Sequence, residues 1–335
     1  MDGIRSTKSF KVPTSDGHIL YVEESGNPNG IPTLFLHGGP GAGIGQNYQW
    51  PFASGNYKLI GFDQRGCGRS QPFGSIENNS TSKLIDDIES LRLFFNVDKW
   101  LIFGGSWGST LALAYAIAYP KNVIGMVLRG IFLGRKEDAD WFISNNQGAS
   151  QVFPQEYEAF SAGFPALASY QNHKPLCQWY FDQLTDTNES VRNEASSRWF
   201  NWEDNISKLK KSEASALDYA STQQIYSLAL LECYYLLNNC FMPANHILEN
   251  CHLISNIPLH IVHGRYDMVC KCDSAIKLHA ALPNSKLTIV EDAGHSMTES
   301  GISKALVNAL EHLSIHITNQ KPTLNVQAKQ KKQYV

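Results

Sequence analysis

The sequence lacks an excess of positive charge, a long apolar run and an ordered cysteine pattern. Its 335 residues include 28 Lys and Arg against 31 Asp and Glu, a balance that argues against a nucleic-acid partner. No apolar stretch is long enough to span a membrane, and the first ten residues hold no apolar segment typical of a secretion signal. The seven cysteines are odd in number and scattered, as is typical of a reducing compartment. We therefore expect a cytoplasmic protein.

The sequence also offers little that could hold a metal ion. Cys270 and Cys272 lie close together, but two thiols without a matching second pair form a weak ligand set. We therefore expect no metal and no cofactor. With 43% hydrophobic and 18% charged residues, the chain is typical of a globular protein with one large domain plus an insertion, or with two domains.

Short apolar runs alternate with helical patterns along much of the chain. The first two runs, residues 9–12 and 18–23, flank Asp16-Gly17 and predict a β-hairpin. Later strands are predicted at residues 33–36, 58–62, 101–103, 123–128, 259–262 and 286–290. Helical periodicity covers residues 82–96, 109–119, 274–281 and 302–312. The alternation predicts an α/β fold with a mainly parallel, eight-stranded sheet flanked by helices.

The strand pattern is interrupted in the middle of the chain. Between residues 135 and 246 no convincing strand is found, but aromatic residues and helix formers are abundant. We therefore predict two core segments, 1–134 and 247–317, and a helical cap between them that covers the carboxyl edge of the sheet. The polar, lysine-bearing tail, 318–335, is expected to be disordered.

The most informative motif is Gly104-Gly105-Ser106-Trp107-Gly108, which separates an apolar run from an alanine-rich helical pattern. A Gly-x-Ser-x-Gly turn between strand and helix holds the serine in strained backbone geometry and directs its hydroxyl out of the sheet. The alternative is a glycine-rich connection that only packs tightly. Because both the strand and the helix are predicted, the sequence favours a nucleophile at Ser106.

A serine hydroxyl needs a base, and the base needs an orienting acid. In open α/β sheets such groups follow the carboxyl ends of strands. Asp267 follows the run at 259–262, and His295 follows the run at 286–290. The chain order Ser106, Asp267, His295 is the order expected of a hydrolase triad on this type of fold.

Other residues compete for the same roles. His37 and His263 also follow strands, but each precedes a glycine, so we expect them to stabilise turns. Asp63 follows a strand but comes before the serine in the sequence. Glu291 and Asp292 are too close to the candidate histidine in sequence to reach its ring easily.

Acyl transfer also needs donors for a developing oxyanion. The backbone N–H of Trp107, directly after the serine, is one candidate. The glycine-rich loop at residues 37–41 can approach a ligand closely, and Gly39 is the second candidate. Arg65 lies in another glycine-bounded loop, where a salt bridge that fastens the loop is favoured over substrate binding.

Several of these segments together resemble the prolyl aminopeptidase (proline iminopeptidase) family of α/β-hydrolase serine peptidases. They cover nearly the whole chain except the tail. The matching segments are His37-Gly-Gly-Pro-Gly41, Asp63-Gln-Arg-Gly-Cys-Gly-Arg-Ser70, Gly104-Gly-Ser-Trp-Gly-Ser109, Leu128-Arg-Gly-Ile-Phe132, His263-Gly-Arg-Tyr-Asp267 and Asp292-Ala-Gly-His295.

The resemblance implies that N-terminal proline is released from short peptides through an acyl-enzyme, without a cofactor. It implies that Glu203 and Glu232 hold the free amine, and it leaves Phe132 and Phe142 as candidate contacts of the proline ring. Leu236 stands where the family carries an aromatic residue, and this departure loosens the expected wall of the ring pocket.

Two alternatives to the peptidase remain open at this point. The first is a small-molecule esterase or amide hydrolase of the same fold, and the second is a catalytically silent member that binds a ligand. An aspartate-nucleophile hydrolase is disfavoured because position 106 is a serine. The sequence does not set the oligomeric state.

Overall fold

A computed structural model describes residues 7–165, 172–210 and 220–320. In these ranges eight strands form one sheet. The strands are β1 (Lys8–Pro13), β2 (Ile19–Gly26), β3 (Ile31–Leu36), β4 (Tyr57–Phe62), β5 (Trp100–Ser106), β6 (Val123–Ile131), β7 (Leu259–Gly264) and β8 (Lys286–Val290). The order across the sheet is β1-β2-β4-β3-β5-β6-β7-β8. This arrangement confirms the predicted α/β sheet.

The register explains where functional loops meet. The β1–β2 hairpin and the β2–β4 pair are antiparallel, whereas all pairs from β4 to β8 are parallel. Parallel strands end at the same edge, so the loops after β3, β4, β5, β6, β7 and β8 lie side by side. A register shift between Gly105 and Ser106 marks the end of β5.

Eleven α-helices accompany the sheet in the described ranges. They are α1 (Thr81–Phe94), α2 (Trp107–Ala118), α3 (Lys136–Ile143), α4 (Ala149–Val152), α5 (Pro154–Ser161), α6 (Lys174–Leu184), α7 (Glu189–Ile206), α8 (Thr222–Leu237), α9 (His246–Asn250), α10 (Cys272–Ala281) and α11 (Ser300–Gln320). No described helix is both long and apolar enough to cross a membrane.

Helix α2 is apolar on all sides and lies almost wholly inside the protein, against β5 and β6. Its small residues let it pack closely on the sheet, which fixes the position of its first residue, Trp107. Helices α3 to α8 follow β6, and α7 and α8 pack against each other and against α6. Their shared core includes Phe160, which stacks on Trp202 with ring centroids 5.3 Å apart. The division into core and cap segments stays a prediction.

The last helix is longer than the sequence analysis predicted. Instead of ending at His312, α11 continues to Gln320, because Leu313 and Ile317 extend its buried face at helical spacing. The first three residues assigned to the tail, 318–320, therefore belong to the helix. The rest of the predicted tail lies outside the described residues.

Candidate active site

Ser106 sits at a sharp turn between β5 and α2. Its backbone has φ +58° and ψ −127°, a strained combination for a residue with a side chain. The flanking glycines make the turn sterically possible. A Cβ on Gly104 would lie 2.3 Å from the carbonyl oxygen of Gly108, and one on Gly108 would lie 2.2 Å from that of Leu36. The Gly-x-Ser-x-Gly pattern thus follows from close packing around the serine.

Asp267 and His295 meet although they lie on different loops. His295 Nδ1 is 2.7 Å from Asp267 Oδ2, while Asp267 Oδ1 accepts hydrogen bonds from the backbone of Val269 and Cys270. Burial alone would raise the pKa of Asp267, but the charge and hydrogen bond of His295 hold it below its ordinary value. The ionised carboxylate fixes the proton on Nδ1 and leaves Nε2 with a lone pair.

The free nitrogen of His295 is in contact with Arg129, a residue of β6 to which the sequence analysis assigned no role. Arg129 Nη1 lies 2.9 Å from His295 Nε2 and 2.9 Å from the His295 carbonyl oxygen. In the described part of the chain, the hydrogen-bond partner of Ser106 Oγ is the thiol of Cys270, at 4.0 Å. The structure therefore brings Ser106, His295 and Asp267 to one place, with Arg129 on the nitrogen that faces away from Asp267.

One group of side chains in the described ranges could hold a metal ion. Asp267, Cys270 and His295 each bring one ligand atom within 4.8 Å of the others. The carboxylate already accepts three hydrogen bonds, and burial raises the pKa of the Cys270 thiol well above its ordinary value. A thiol that resists ionisation is a poor metal ligand, so this group fits the role of a hydrogen-bonded triad better.

Hydrogen bonds connect the loop after β3 to the turn that carries Ser106. The Gln64 backbone N–H donates to His37 Nε2, the Gln64 side chain donates to the His37 carbonyl, and Trp107 Nε1 donates to Gln64 Oε1. His37 therefore stabilises its turn, as predicted. Trp107 is the first residue of α2, so its N–H has no carbonyl partner within the helix. Gly39 lines the same cavity as Trp107.

The other candidates considered for the triad have structural partners. His263 Nδ1 accepts from the backbone of Ile131, and His263 Nε2 lies 2.8 Å from the Cys270 carbonyl. This pattern confirms the predicted turn-stabilising role. Asp63 accepts hydrogen bonds from the backbone and side chain of Arg69. Both groups fasten loops at the carboxyl edge of the sheet.

Arg65 forms the predicted salt bridge. It binds Asp87 through two hydrogen bonds of 2.6 and 2.7 Å, and a third joins it to Asp16. Arg65 and Asp87 are both almost fully buried. Glu291, in contrast, pairs with Arg265 at the exposed surface. Arg65 and Glu291 both follow strands, and these ion pairs explain their presence there without a role at the nucleophile.

Two carboxyl groups from the cap region face each other in the interior. Glu203 lies on α7 and Glu232 on α8, and they are close enough for each to influence the pKa of the other. Trp199 Nε1 donates to Glu232 Oε2 at 2.7 Å, whereas Glu203 Oε2 is buried and has no hydrogen-bond partner among the residues that the structure describes. Burial, with the charge of Asp204, raises the pKa of Glu203 to about 7. Burial and the neighbouring Glu203 raise the pKa of Glu232 well above its ordinary value. Because like charges repel, the two carboxyl groups resist being ionised together, and a bound cation would relieve that repulsion.

A cavity extends from the serine to one member of this acid pair. Ser106 and Glu232 both line it. Its apolar wall contains both predicted aromatic residues, Phe132 and Phe142, and also Leu236. Tyr235 completes one side by packing edge-on against Trp107, with centroids 4.9 Å apart.

Three residues at this site escaped the sequence analysis: Gln64, Arg129 and Trp199. Trp199 precedes Glu203 by one helical turn. From this spacing the sequence could have predicted that both side chains lie on the same face of a helix. The contact of Arg129 spans 166 positions of sequence and left no local signal.

Comparisons with known proteins identify the family of this chain. Residues 32–301 match the model of the alpha/beta hydrolase fold family. A proline iminopeptidase of Arabidopsis thaliana is 40% identical over 311 residues, which are 92% of this chain and 80% of the relative. One from Neisseria meningitidis is 39% identical over 304 residues, 90% of this chain and 95% of the relative. The chain belongs to the proline iminopeptidase family.

Solved structures place this proline iminopeptidase family member among proteins with other activities. An esterase from Exiguobacterium antarcticum has a TM-score of 0.62 at 19% identity, covering 89% of this chain and 97% of its own. A bromoperoxidase from Bacillus anthracis has a TM-score of 0.55 at 18% identity, covering 92% and 99%. At such identities the likeness concerns the fold alone.

Proposed function

We propose that this protein is a serine exopeptidase that releases N-terminal proline from short peptides through an acyl-enzyme. The observation that carries the proposal is the shared cavity of Ser106 and Glu232, with the buried carboxyl group of Glu203 beside it. A nucleophile alone is compatible with any acyl hydrolase. A buried acid in the wall of the same cavity, with a second acid beside it, favours a substrate with a positive charge next to the scissile carbonyl.

In the proposed first step, Ser106 Oγ attacks the carbonyl carbon of the terminal proline. His295 Nε2 takes the hydroxyl proton, and Asp267 stabilises the resulting imidazolium through the bond to Nδ1. The carbonyl oxygen becomes an oxyanion that accepts hydrogen bonds from the N–H groups of Gly39 and Trp107. His295 then donates its proton to the amine of the next residue as the C–N bond breaks.

Water completes the reaction. It attacks the ester between proline and Ser106, gives a proton to His295, and the proton returns to Ser106 Oγ as the ester bond breaks. Proline leaves, and the enzyme returns to its starting state. No cofactor is needed, because every proton and electron pair is exchanged between serine, histidine, water and substrate.

The cap helices are proposed to select the substrate. A protonated secondary amine between Glu203 and Glu232 would offset the repulsion of two ionised carboxylates and donate a hydrogen bond to Glu203 Oε2, which has no donor among the described residues. Phe132, Phe142 and Leu236 would enclose the pyrrolidine ring. A residue before the proline would convert its ammonium group into an uncharged amide and remove the charge that the acids bind, which favours an exopeptidase.

The decisive experiment compares a prolyl arylamide with a short-chain aryl ester that has no amine. Glu203→Gln and Glu232→Gln should each reduce kcat/KM for the arylamide by about 10- to 150-fold, which corresponds to ~1.5–3 kcal/mol for a charge-assisted hydrogen bond. Ester hydrolysis should change little. Glu291→Gln, at the exposed surface, is the matched control. A strong preference for the ester that neither variant alters would favour the esterase alternative.

A catalytically silent binding protein is the remaining alternative. Covalent labelling of Ser106 by an organophosphonate, absent in Ser106→Ala, would contradict it. The proposal keeps the predicted division into core segments 1–134 and 247–317 and a cap at 135–246. It also includes a cytoplasmic location, which the seven free cysteines support.

A further inference from the structure

The N–H group of Gly39, one of the two proposed oxyanion donors, lies in a loop and not in a helix or a strand. Gly39 follows β3 and lines the same cavity as Ser106. Among the described residues its N–H finds no acceptor, so it is available to a ligand. Three of the four residues at 38–41 are glycines, which have little conformational preference of their own. The direction of this donor must therefore be set by what packs against the loop.

Helix α8 gives this loop two hydrogen bonds. Ser227 Oγ donates to the carbonyl of Gly41 at 2.9 Å, and Gln224 Nε2 donates to the carbonyl of Ala42 at 3.3 Å. Ser227 Oγ also lies 3.3 Å from the carbonyl of Gln224, but a hydroxyl has one proton, and the shorter contact is the better hydrogen bond. The two donors are about one helical turn apart and lie on the same face of α8. The loop is therefore attached to a helix of the cap region as well as to the sheet.

The loop and the helix approach each other very closely. A Cβ on Gly41 would lie 2.3 Å from the carbonyl oxygen of Ser227, and one on Gly39 would lie 3.0 Å from Leu228 Cδ1. Ser227 is fully buried, and Gly41 is buried as well. Loss of the hydroxyl would leave the carbonyl of Gly41 without its donor, away from water. The contact with Ser227 therefore restrains the loop that carries the Gly39 N–H.

The same helix carries an acid that is proposed to bind the amine. Glu232 lies five residues after Ser227 and lines the cavity together with Gly39. Further along α8, the hydroxyl of Tyr235 donates to Asn79 Oδ1 at 2.8 Å in a buried site. Helix α8 is thus joined to the loop after β3 near its start and to the loop before α1 near its end. These contacts hold the oxyanion donor and the amine-binding acid in a fixed relation.

We propose that Ser227 is a positioning residue that directs the N–H of Gly39 toward the oxyanion. This inference rests on the proposed function, in which Ser106 attacks a carbonyl group and an oxyanion forms. Through Ser227, helix α8 aligns the oxyanion donor with the carboxyl group that holds the amine. The oxyanion exists only after the attack, so a misdirected donor weakens the transition state and leaves substrate binding unchanged. The effect is expected in kcat and not in KM.

Ser227→Ala removes the hydroxyl, and Ser196→Ala is the matched control. Ser196 is also a buried serine on a helix of the cap region, but its Oγ donates to the carbonyl of Arg192 in its own helix. Ser227→Ala should lower kcat by about 10- to 100-fold, up to the loss that a 1 Å misplacement causes, and should leave KM within about twofold. The loss should be equal for a prolyl arylamide and an amine-free aryl ester, because both reactions form an oxyanion. Ser196→Ala should leave both kcat values unchanged.

A tetrahedral inhibitor tests the same donor through binding alone. Ser106 Oγ forms a bond to the boron of pyrrolidine-2-boronic acid as its proton passes to His295, and one boronate oxygen takes the place of the oxyanion. Ser227→Ala should weaken this inhibitor by the same factor as kcat. The affinity for pyrrolidine, which binds the acid pair only, should not change. Equal losses for both ligands would mean that the variant displaces Glu232, and would overturn the inference.

The kinetic outcomes separate this inference from the proposed function. An unchanged kcat in Ser227→Ala, a loss confined to KM, or an equal loss in Ser196→Ala would overturn the inference, whereas arylamide turnover by the wild type would still support the proposed function. A wild type that hydrolyses only the ester would refute the peptidase function, and its ester kcat would still test the role of Ser227.

Gln224→Ala provides a second variant in case Ser227→Ala does not fold. Gln224 is half-buried, so truncation there is readily tolerated, and it removes the second hydrogen bond to the loop. The kcat for both substrates should fall about two- to tenfold, the factor for one ordinary hydrogen bond. An unchanged kcat in this variant would contradict the assigned role of α8.

Discussion

The indole of Trp199 should control how well the acid pair binds an amine. Its Nε1 donates to Glu232 Oε2 at 2.7 Å, in a site where both groups are buried. This hydrogen bond favours the ionised form of Glu232, so its loss raises the pKa of that carboxyl group further. Trp199→Phe removes the donor and keeps most of the aromatic packing.

The expected loss of activity in Trp199→Phe follows from the charge on Glu232, which accepts the hydrogen bond. A hydrogen bond to a charged group contributes about 1.5–3 kcal/mol, which corresponds to a loss of roughly 10- to 150-fold in kcat/KM for a prolyl arylamide. Hydrolysis of an amine-free aryl ester should remain nearly unchanged, because Ser106 and His295 do not contact the indole. The loss should be larger at low pH, where a carboxyl group with a raised pKa is protonated.

Trp202→Phe is the matched control. Trp202 lies on the same helix and is equally buried, but its Nε1 donates to the Phe142 carbonyl instead of a carboxylate. The Trp202→Phe variant should lower thermal stability about as much as Trp199→Phe does. If the two variants lower arylamide turnover equally, or if Trp199→Phe lowers ester and arylamide turnover alike, the assigned role of the indole is wrong.

Three further predictions concern stability and geometry. Glu203→Gln should stabilise the protein at pH 8 by ~1–3 kcal/mol, but not at pH 4, because a folded pKa of about 7 favours folding only while the carboxyl is protonated. Gly130→Ala should reduce turnover at least about 100-fold, because its Cβ would lie 2.7 Å from the His295 ring, and small misplacements cost this much. Arg65→Met should destabilise the fold by about 3–5 kcal/mol because it leaves the buried Asp87 unpaired, as chemical denaturation would measure.

Each of these predictions has a control. Gly45→Ala places a Cβ where no atom lies within 4 Å, so it should leave turnover unchanged, and an equal loss would rule out the steric explanation for Gly130→Ala. Arg265→Met breaks an exposed pair and should cause no measurable loss of stability. A Glu203→Gln variant with the same stability gain at pH 4 and pH 8 would contradict the titration argument.

The sheet was predictable because each core strand is a short apolar run with a turn signal beside it. The turn that carries Ser106 was predictable for a related reason. Three glycines around one serine are needed only where backbone segments approach so closely that a Cβ would clash, as Gly104, Gly108 and Leu36 do. The end of α11 was misjudged, although the positions of Leu313 and Ile317 continued the helical pattern. Polar neighbours at the surface of that helix masked the periodic signal.

Contacts between distant segments could not be predicted in the same way. Spacing and chain order suggested Asp267 and His295 as partners, and the structure places them 2.7 Å apart. Arg129 had no such pattern, because a single arginine on a strand is compatible with any nearby acceptor. Only the folded arrangement of β6 against the His295 loop determines that its partner is an imidazole nitrogen.

The fold that this chain shares with an esterase and a bromoperoxidase implies that the fold alone does not select a substrate. In this protein the candidate nucleophile and base follow strands, whereas Glu203 and Glu232 belong to helices that pack on each other above the cavity. If the two glutamates select the substrate, as we propose, the helices must keep a fixed position relative to the strand ends. The hydrogen bonds from the His295 loop to Ser207, directly after the helix of Glu203, provide that connection. In the proposed function, the buried acid pair that selects the free amine is thereby connected to the loop of the base.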